Sequence, residues 1–190
     1  MQTISRSVKD VEEQLKALNK ASQTAAEEIP VAAQFTPPTE CYDNPISVCI
    51  AQADQLEAFW QWQKNQARSS VYHTQEIFEW LNSAPSNESV LLLALGSDQQ
   101  IIGGLPITIM RTRLFGDFAI SQPFFNFGAP LTDYLDVFEQ LLSYANQWVS
   151  DLSLEYAEIR TLTTSNAFPS SSKKVSMVLP LASSTDALRQ

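Results

Sequence analysis

The stretch that decides the fold is Ile101–Leu131, with the sequence IIGGLPITIMRTRLFGDFAISQPFFNFGAPL. All five glycines of the protein lie between Gly96 and Gly128, so the backbone conformations that only glycine adopts at low cost are concentrated in this part of the chain. The apolar run VLLLAL and the polar GSDQQ that follows it predict a strand hairpin over residues 90–110. Beyond the hairpin, FFNFGAP places large aromatic rings beside Asn126, which is the composition of a cleft wall.

The size and composition of the chain indicate one folded domain. The chain has 190 residues, of which 44% are hydrophobic and only 17% are charged. This is enough apolar surface for a core, and it argues against intrinsic disorder. The net charge of −9 disfavours a surface of clustered lysines and arginines, so we expect no nucleic-acid binding by this domain.

The cysteine and hydropathy patterns indicate a cytoplasmic protein. Cys41 and Cys49 are too few for a disulfide framework and predict free thiols in a reducing compartment. No spacing of histidine and cysteine suggests a metal site. No apolar run reaches the length of about 20 residues that a membrane helix needs, and the N-terminus lacks the apolar stretch of a signal peptide. We therefore expect no metal, no membrane span and a cytoplasmic location.

Residues 1–33 are predicted to be an N-terminal extension, in which residues 4–29 form an amphipathic helix that ends before Pro30. The apolar positions follow the spacing of a narrow seam: Val8, Val11, Leu15 and Leu18. Such a helix either associates with a partner or with itself as a short coiled coil, or it lies on its own domain. The sequence leaves both possibilities open.

The rest of the chain is predicted to be a linker followed by one α/β (α+β) domain. Residues 34–45 contain three prolines and predict the linker, and the globular domain is predicted over residues 46–182. Its elements are a first strand, two helices, the hairpin, a long helix and further strands at 154–160 and 175–179. Residues 183–190 carry a helix-start signal but no helix, so we expect them to begin a missing second domain.

Two arginines at the end of the hairpin are candidate anion ligands. If the strand that begins at Ile101 alternates without interruption, Arg111 and Arg113 emerge on the same side as Ile101. Guanidinium groups match phosphate and carboxylate geometry, so the pair could hold such a group of a substrate. The alternative is a solvated turn with a surface salt bridge.

A second group of candidate substrate-binding residues lies further along the chain. In LEYAEIR (154–160), alternation places Leu154 and Tyr156 on the same face as Glu158 and Arg160, which suggests that this face borders a cleft. If the two charged side chains pair with each other, they are structural instead. Asn126 could form hydrogen bonds with a peptide or a sugar, or it could be a turn asparagine beside core aromatics.

The remaining candidate is His73, the only histidine of the chain. It is the one side chain that ordinarily titrates near neutral pH, so it is a candidate general base if it borders the cleft. The alternative is a histidine whose ring nitrogens are satisfied near a helix start, and no other catalytic residue can be named. Five large aromatic residues are predicted to lie in the core: Trp60, Phe115, Phe118, Phe124 and Trp148.

Several stretches together carry a family resemblance: VYHT (71–74), DQQIIGGLPI (98–107), RTRLFG (111–116), SQPFFNFGAPL (121–131), YAEIR (156–160) and KKVSMVLPL (173–181). In this order they resemble the first half of FemAB-like N-acyltransferases, bacterial proteins with two tandem GNAT-like domains. The branch associated with exosortase and exopolysaccharide loci is the most similar. The chain departs from the family pattern where Ile77 replaces a usual tryptophan and Gly128-Ala129 replaces a usual Gly-Gly pair.

The resemblance implies a GNAT-like fold with a mixed, largely antiparallel central sheet flanked by helices. It also implies that this half helps to bind the acceptor, with Arg111, Arg113, Asn126 and Arg160 lining the site. The acceptor would be the amine of a cell-envelope or exopolysaccharide precursor, which attacks an activated acyl carbonyl.

The resemblance further implies that the acyl donor, acyl-CoA or aminoacyl-tRNA, is handled by the missing second domain. GNAT proteins cradle a pyrophosphate with a Q/R-x-x-G-x-G/A loop at a helix N-terminus. Here RLFGDF (113–118) matches that loop only in part, because Phe118 takes the position of a small residue. We therefore expect no cofactor in this domain.

Two other functions fit the same residues. One is a non-catalytic module that binds an anionic glycan or peptide through the arginines and Asn126. The other is an assembly protein that recruits a partner, or a second copy, through the helix of residues 1–33.

Overall fold

The computed structural model describes residues 36–162, 165 and 167–171, and nearly all of them belong to one compact unit, Ala32–Ser170. Three predicted features lie outside the described residues: the helix of 1–33, the strand at 175–179 and the domain start at 183–190.

The described part of the predicted linker is attached to the domain. Pro38 is buried, and Glu40 forms an isolated β-bridge with Tyr134. The backbone N–H of Tyr42 donates a hydrogen bond of 3.0 Å to the carboxylate of Asp136. Residues 38–42 therefore contact the segment that opens the long helix.

Five strands of the described residues form one sheet, and their spatial order follows the order of the chain. The strands are β1 (Ser47–Ile50), β2 (Asn87–Leu95), β3 (Ile101–Thr112), β4 (Gly116–Ile120) and β5 (Ala157–Glu158). The first four pair in antiparallel fashion, whereas β5 runs parallel to β4. This confirms the predicted hairpin and the mixed, largely antiparallel sheet, and it is consistent with a GNAT-like fold.

Three α-helices flank the sheet in the described part of the chain: α1 (Ala53–Gln63), α2 (Gln75–Asn82) and α3 (Leu135–Asp151). A short 3-10 helix, Val71–His73, precedes α2. The long helix predicted after the hairpin is confirmed as α3, and its apolar face is buried. Among the described residues, no helix is long and apolar enough to cross a membrane.

Each face of the sheet has its own apolar cluster because neighbouring residues of a strand point to opposite faces. The cluster against α3 includes Leu92, Leu105, Ile107, Ile109, Val137 and Leu141. The cluster against α1 and α2 includes Phe59, Trp60, Phe78, Leu91, Leu93 and Leu95.

Two successive glycines of β3 let the helices approach both faces closely. A Cβ atom on Gly103 would lie 2.9 Å from Cγ1 of Val137 in α3. A Cβ atom on Gly104 would lie 2.5 Å from Cε2 of Phe59 in α1. Both distances are too short for carbon atoms in contact, so this dipeptide fixes how near α1 and α3 lie to the sheet.

The strand β3 contains a bulge at Ile102. Ala94 pairs with Gly103 and Leu95 pairs with Ile101, so Ile102 is the additional residue. Ile102 consequently joins the cluster against α3, whereas Ile101 packs against the cluster on the other face. The predicted alternation is therefore wrong at the start of β3, because the bulge reverses it there, and it holds beyond the bulge.

We expect Gly104→Ala to lower the free energy of unfolding by about 1–3 kcal/mol, the usual cost of overpacking a core. The added methyl group would meet the ring of Phe59. Urea denaturation followed by circular dichroism measures the change. Phe59→Leu removes the ring edge, so the double variant should lose less than the sum of the two single variants. Strictly additive losses would show that the contact does not limit the packing.

Candidate functional site

The loop that follows β4, residues 121–128, is hydrogen-bonded at both ends to residues in and just after β5. At its start, the backbone N–H of Ser121 donates to the Glu158 carbonyl at 2.9 Å. The Ser121 hydroxyl accepts from the backbone N–H of Arg160 at 2.8 Å. At its end, the N–H of Gly128 donates to the Arg160 carbonyl at 2.8 Å. The main chain of Arg160 thus closes the loop.

The side chain of Arg160 is hydrogen-bonded to the middle of the same loop. Its Nη1 donates to the Phe125 carbonyl, and its Nε donates to Oε1 of Glu158 at 2.7 Å. The guanidinium is mostly buried, with 20% of the side chain exposed. These contacts agree with the structural reading of the pair, because the charge of Arg160 is already matched by Glu158 and its donors hold the loop.

Two residues of the loop have left-handed backbone conformations. The φ angles are 55° at Gln122 and 71° at Phe124, a region that is costly for residues other than glycine. The Gln122 side chain is buried, and its Nε2 donates to the Tyr72 carbonyl. Its Oε1 has no hydrogen-bond partner among the described residues. The strained turn directs the ring of Phe124 outward.

Four rings form a surface that we call the aromatic platform: Tyr72, Trp80, Phe124 and Phe125. The ring centroid of Trp80 lies 6.2 Å from that of Phe124 and 6.0 Å from that of Phe125. Tyr72 lies 5.3 Å from Phe125. Trp80 is 56% exposed and Phe124 is 68% exposed. Exposed aromatic groups held together in this way are typical of binding surfaces.

The polar residues beside the platform are among those that the sequence predicts. Asn126 is exposed and directly follows Phe125, and the Glu158 carboxylate is half-exposed. Glu158, Asn126 and Arg160 therefore gather around one loop, with the first two presented to solvent. Their role in substrate binding stays a prediction.

The other two predicted residues lie at the opposite end of β4. Arg111 pairs with Asp117 at 3.1 Å and with Glu88 at 3.4 Å, and these carboxylates raise the pKa of its guanidinium, the Asp117 hydrogen bond being the largest cause. Arg113 is exposed in the turn before β4. The four residue-to-residue steps from Asp117 to Ser121 span roughly 14 Å at about 3.4 Å each. Asn126, Glu158 and Arg160 therefore lie at one end of β4, and Arg111 and Arg113 lie at the other.

Three predictions about individual residues need correction. Trp60, Phe118 and Trp148 are buried as predicted, but Phe115 and Phe124 are each 68% exposed because both lie in turns that leave β-strands. The LEYAEIR segment forms a strand only over Ala157–Glu158, although backbone hydrogen bonds also join Glu155 to Asp117 and Ala119 to Tyr156 before it. Leu154 does not share the exposed face of Tyr156, since it is buried against α3 before that pairing begins.

Little in the residue pattern indicates the aromatic platform, although helical spacing contains one clue. In α2, Phe78 and Leu81 face the core, and Trp80 projects from another side of the helix. The exposure of Phe124 depends on the backbone turn, which the residue types do not reveal.

His73 is 1% exposed, and both of its ring nitrogens have partners within the protein. Nδ1 accepts from the backbone N–H of Ser70 at 3.2 Å, and Nε2 lies 2.9 Å from the Ala129 carbonyl. A carbonyl only accepts, so the proton lies on Nε2 and the ring is neutral. Burial lowers the pKa of His73, against the opposing effect of the Ala129 hydrogen bond. This geometry is that of a structural histidine.

We expect the stability of the protein to fall as the pH is lowered through 6.5, the ordinary pKa of histidine. The unfolded chain binds a proton at His73 there, whereas the folded chain, with its lowered pKa, does not. The free energy of unfolding should therefore decrease by up to about 1.4 kcal/mol per pH unit. Urea denaturation between about pH 7.5 and 5.5 measures this slope.

The matched control is His73→Gln, which removes the titrating ring but keeps a polar side chain. The slope of the unfolding free energy over the same pH range should be close to zero in this variant. An equal slope in both proteins would assign the pH dependence to other groups.

Within the described residues, no group of three or more His, Cys, Asp or Glu side chains is placed to hold a metal ion.

Comparison with known proteins gives a likeness of overall shape only. No protein-family model matches the chain, and no curated protein matches it. A transcriptional regulator from Bacillus halodurans C-125 matches 71% of this chain over 100% of its own, with 14% identity and a TM-score of 0.44. A protein assigned as an acetyl transferase from Pyrococcus furiosus matches 72% of this chain over 100% of its own, with 14% identity and a TM-score of 0.45. Neither likeness identifies what this chain does.

Proposed function

We propose that this chain is the GNAT-like, acceptor-binding part of a FemAB-like N-acyltransferase. The observation that carries the proposal is the exposed aromatic platform, with Asn126 and Glu158 beside it and Arg160 holding its loop in place. The sequence resemblance to FemAB-like proteins and the mixed, largely antiparallel sheet support the same assignment.

The platform suits an acceptor that combines apolar faces with hydroxyl, amide or amine groups. The rings of Trp80 and Phe124 offer contact area to the C–H face of a sugar or to a peptide side chain. The amide of Asn126 can donate and accept, and the Glu158 carboxylate can accept from an amine or a hydroxyl. A cell-envelope or exopolysaccharide precursor with a free amine has this chemistry.

In the proposed reaction the acceptor amine attacks an acyl carbonyl, the donor's leaving group departs, and the amine loses a proton. This chain would orient the amine, and a second GNAT-like domain would hold the acyl-CoA or aminoacyl-tRNA donor. His73 does not take the proton in this scheme, because both of its ring nitrogens are engaged within the fold. Arg111 and Arg113 would contact an acceptor only if it extended along the whole of β4.

We expect Phe124→Ala and Trp80→Ala each to weaken acceptor binding about tenfold, a typical cost of removing an exposed aromatic anchor. The ligands to titrate are a nucleotide-linked amino sugar and a cell-wall precursor peptide with a free amine, followed by NMR chemical shifts. Phe115→Ala is the matched control, because Phe115 has the same exposure of 68% but lies at the other end of β4. Equal losses in all three variants, or no binding by the intact chain, would contradict the platform as the acceptor site.

Acetyl-CoA should leave the melting temperature of this chain unchanged, since RLFGDF closes a β-turn into β4 and does not open a helix. A ligand at 100 times its dissociation constant would add about 2.7 kcal/mol of stability. Thermal unfolding with and without acetyl-CoA tests this expectation. A clear rise in the melting temperature would show that this chain binds the acyl donor. It would contradict the assignment of donor binding to a second domain.

The alternative is a non-catalytic binding module, which the engaged ring of His73 also fits. An anionic ligand is less suited to the platform, because the charge of Arg160 is matched by Glu158. The coding sequence beyond Gln190 separates the two functions. A second GNAT-like domain encoded there supports acyl transfer, and a stop codon supports the binding module.

A further inference from the structure

A cavity of about 210 Å³ lies away from the aromatic platform, at the end of the sheet where β3 begins. The β2–β3 turn, the C-terminal end of α1, the residues before α3 and the segment around Tyr42 contribute to its wall. The bulge at Ile102 lies in this wall, and β-bulges are frequent beside binding sites. The volume holds several water molecules, each of which takes about 30 Å³ in the liquid.

The wall is held in position by the protein itself. The Tyr42 hydroxyl accepts from Nε2 of Gln100 at 2.7 Å, and the Tyr42 ring packs edge-on against Tyr134 at 5.1 Å. The Tyr42 oxygen also packs against Gly96, since a Cβ atom there would lie 2.3 Å from it. The hydroxyl is therefore fixed before any ligand arrives, which reduces the entropic cost of binding.

The wall contains both hydrogen-bond donors and hydrogen-bond acceptors. Because the Tyr42 oxygen accepts from Gln100, its own proton can be donated to a ligand. Gln100 uses its amide nitrogen on Tyr42, and Gln66 uses its amide nitrogen on the Trp62 carbonyl at 3.3 Å. Among the described residues, both amide oxygens are left to accept. A hydroxyl group, which donates and accepts, complements this set.

The electrostatics and ring geometry narrow the class of ligand. Asp133 is the charged side chain of the wall, and its Oδ1 is paired with Nε of Arg68 at 2.9 Å. This ion pair is neutral overall, and the protein has a net charge of −9. An anionic ligand is therefore disfavoured. The rings of Tyr42 and Tyr134 meet at 62°, so they do not form the parallel slot that a flat nucleobase needs, but they offer an apolar edge to C–H groups.

We infer that this cavity binds one neutral pyranose unit, either as a free sugar or as part of a longer glycan. The juxtaposition of a fixed tyrosine hydroxyl, two glutamine amide oxygens and two tyrosine rings in a cavity of this size carries the inference. The site does not depend on acyl transfer, and it would serve equally in a protein that only binds glycans.

The test is an NMR titration of the intact 190-residue chain with D-glucose, D-galactose and N-acetyl-D-glucosamine. We expect at least one of them to bind with a dissociation constant of about 1 mM or tighter. Tyr42→Phe and Gln100→Ala should each weaken that binding about fivefold, the usual effect of losing one hydrogen bond. Gln100 is exposed, so its variant tests the site even if the Tyr42 variant is unstable. Tyr156→Phe, an exposed tyrosine outside the cavity, is the control and should bind as the intact chain does.

Other outcomes would overturn the inference. If none of the three sugars binds at a concentration of about 10 mM, the inference is wrong. Equal binding by all variants would also contradict it. Stronger binding of D-glucuronate than of D-glucose would contradict a neutral ligand. Loss of sugar binding in Trp80→Ala but not in Tyr42→Phe would move the sugar to the aromatic platform, which rejects the cavity while supporting the proposed function.

Discussion

The close approach of two helices to one strand at Gly103 and Gly104 is the constraint on which the rest of the structure depends. Val137 of α3 occupies the space of a side chain on one face, and Phe59 of α1 occupies it on the other. At the same point Gly104 exchanges two backbone hydrogen bonds with Leu131, at 2.8 and 3.0 Å. The Gly103–Gly104 dipeptide therefore determines the position of both helices. It also determines the position of Leu131, which ends the segment that follows β4.

That segment is where the fold departs from regular geometry and where its most exposed aromatic rings lie. Left-handed conformations at Gln122 and Phe124 cost of order 1–3 kcal/mol each, and hydrogen bonds from Arg160 on one side and to Tyr72 on the other offset that cost. The result is a set of rings whose arrangement is fixed without a ligand. Such preorganisation lowers the entropic cost of binding, which is why the platform is a better candidate site than the paired Arg111.

The sequence predicts those strands and helices that bury one face against the core. The hairpin and α3 follow directly from the spacing of their apolar residues, because each has one side against the core. The bulge at Ile102 depends on the register with β2, and the distance from Arg111 to Arg160 depends on the length of β4. The outward turn of Phe124 depends on its φ angle. None of these quantities is encoded in local residue spacing, so the sequence does not reveal how far apart the predicted site residues lie.

The pairing of β5 has a consequence for how the molecule opens. This strand is two residues long and is the last strand of the sheet within the described residues, and the Arg160 that follows it makes most of the hydrogen bonds that hold the 121–128 loop. Backbone hydrogen bonds from Ala119 to Tyr156 and from Glu155 to Asp117 also hold this segment to β4, so we expect the amide hydrogens of the segment and of the loop to exchange in one cooperative opening. The positions of Phe124 and Phe125 in the aromatic platform thus depend on the same hydrogen bonds as the last described strand, whereas Tyr72 and Trp80 belong to helices that precede β2.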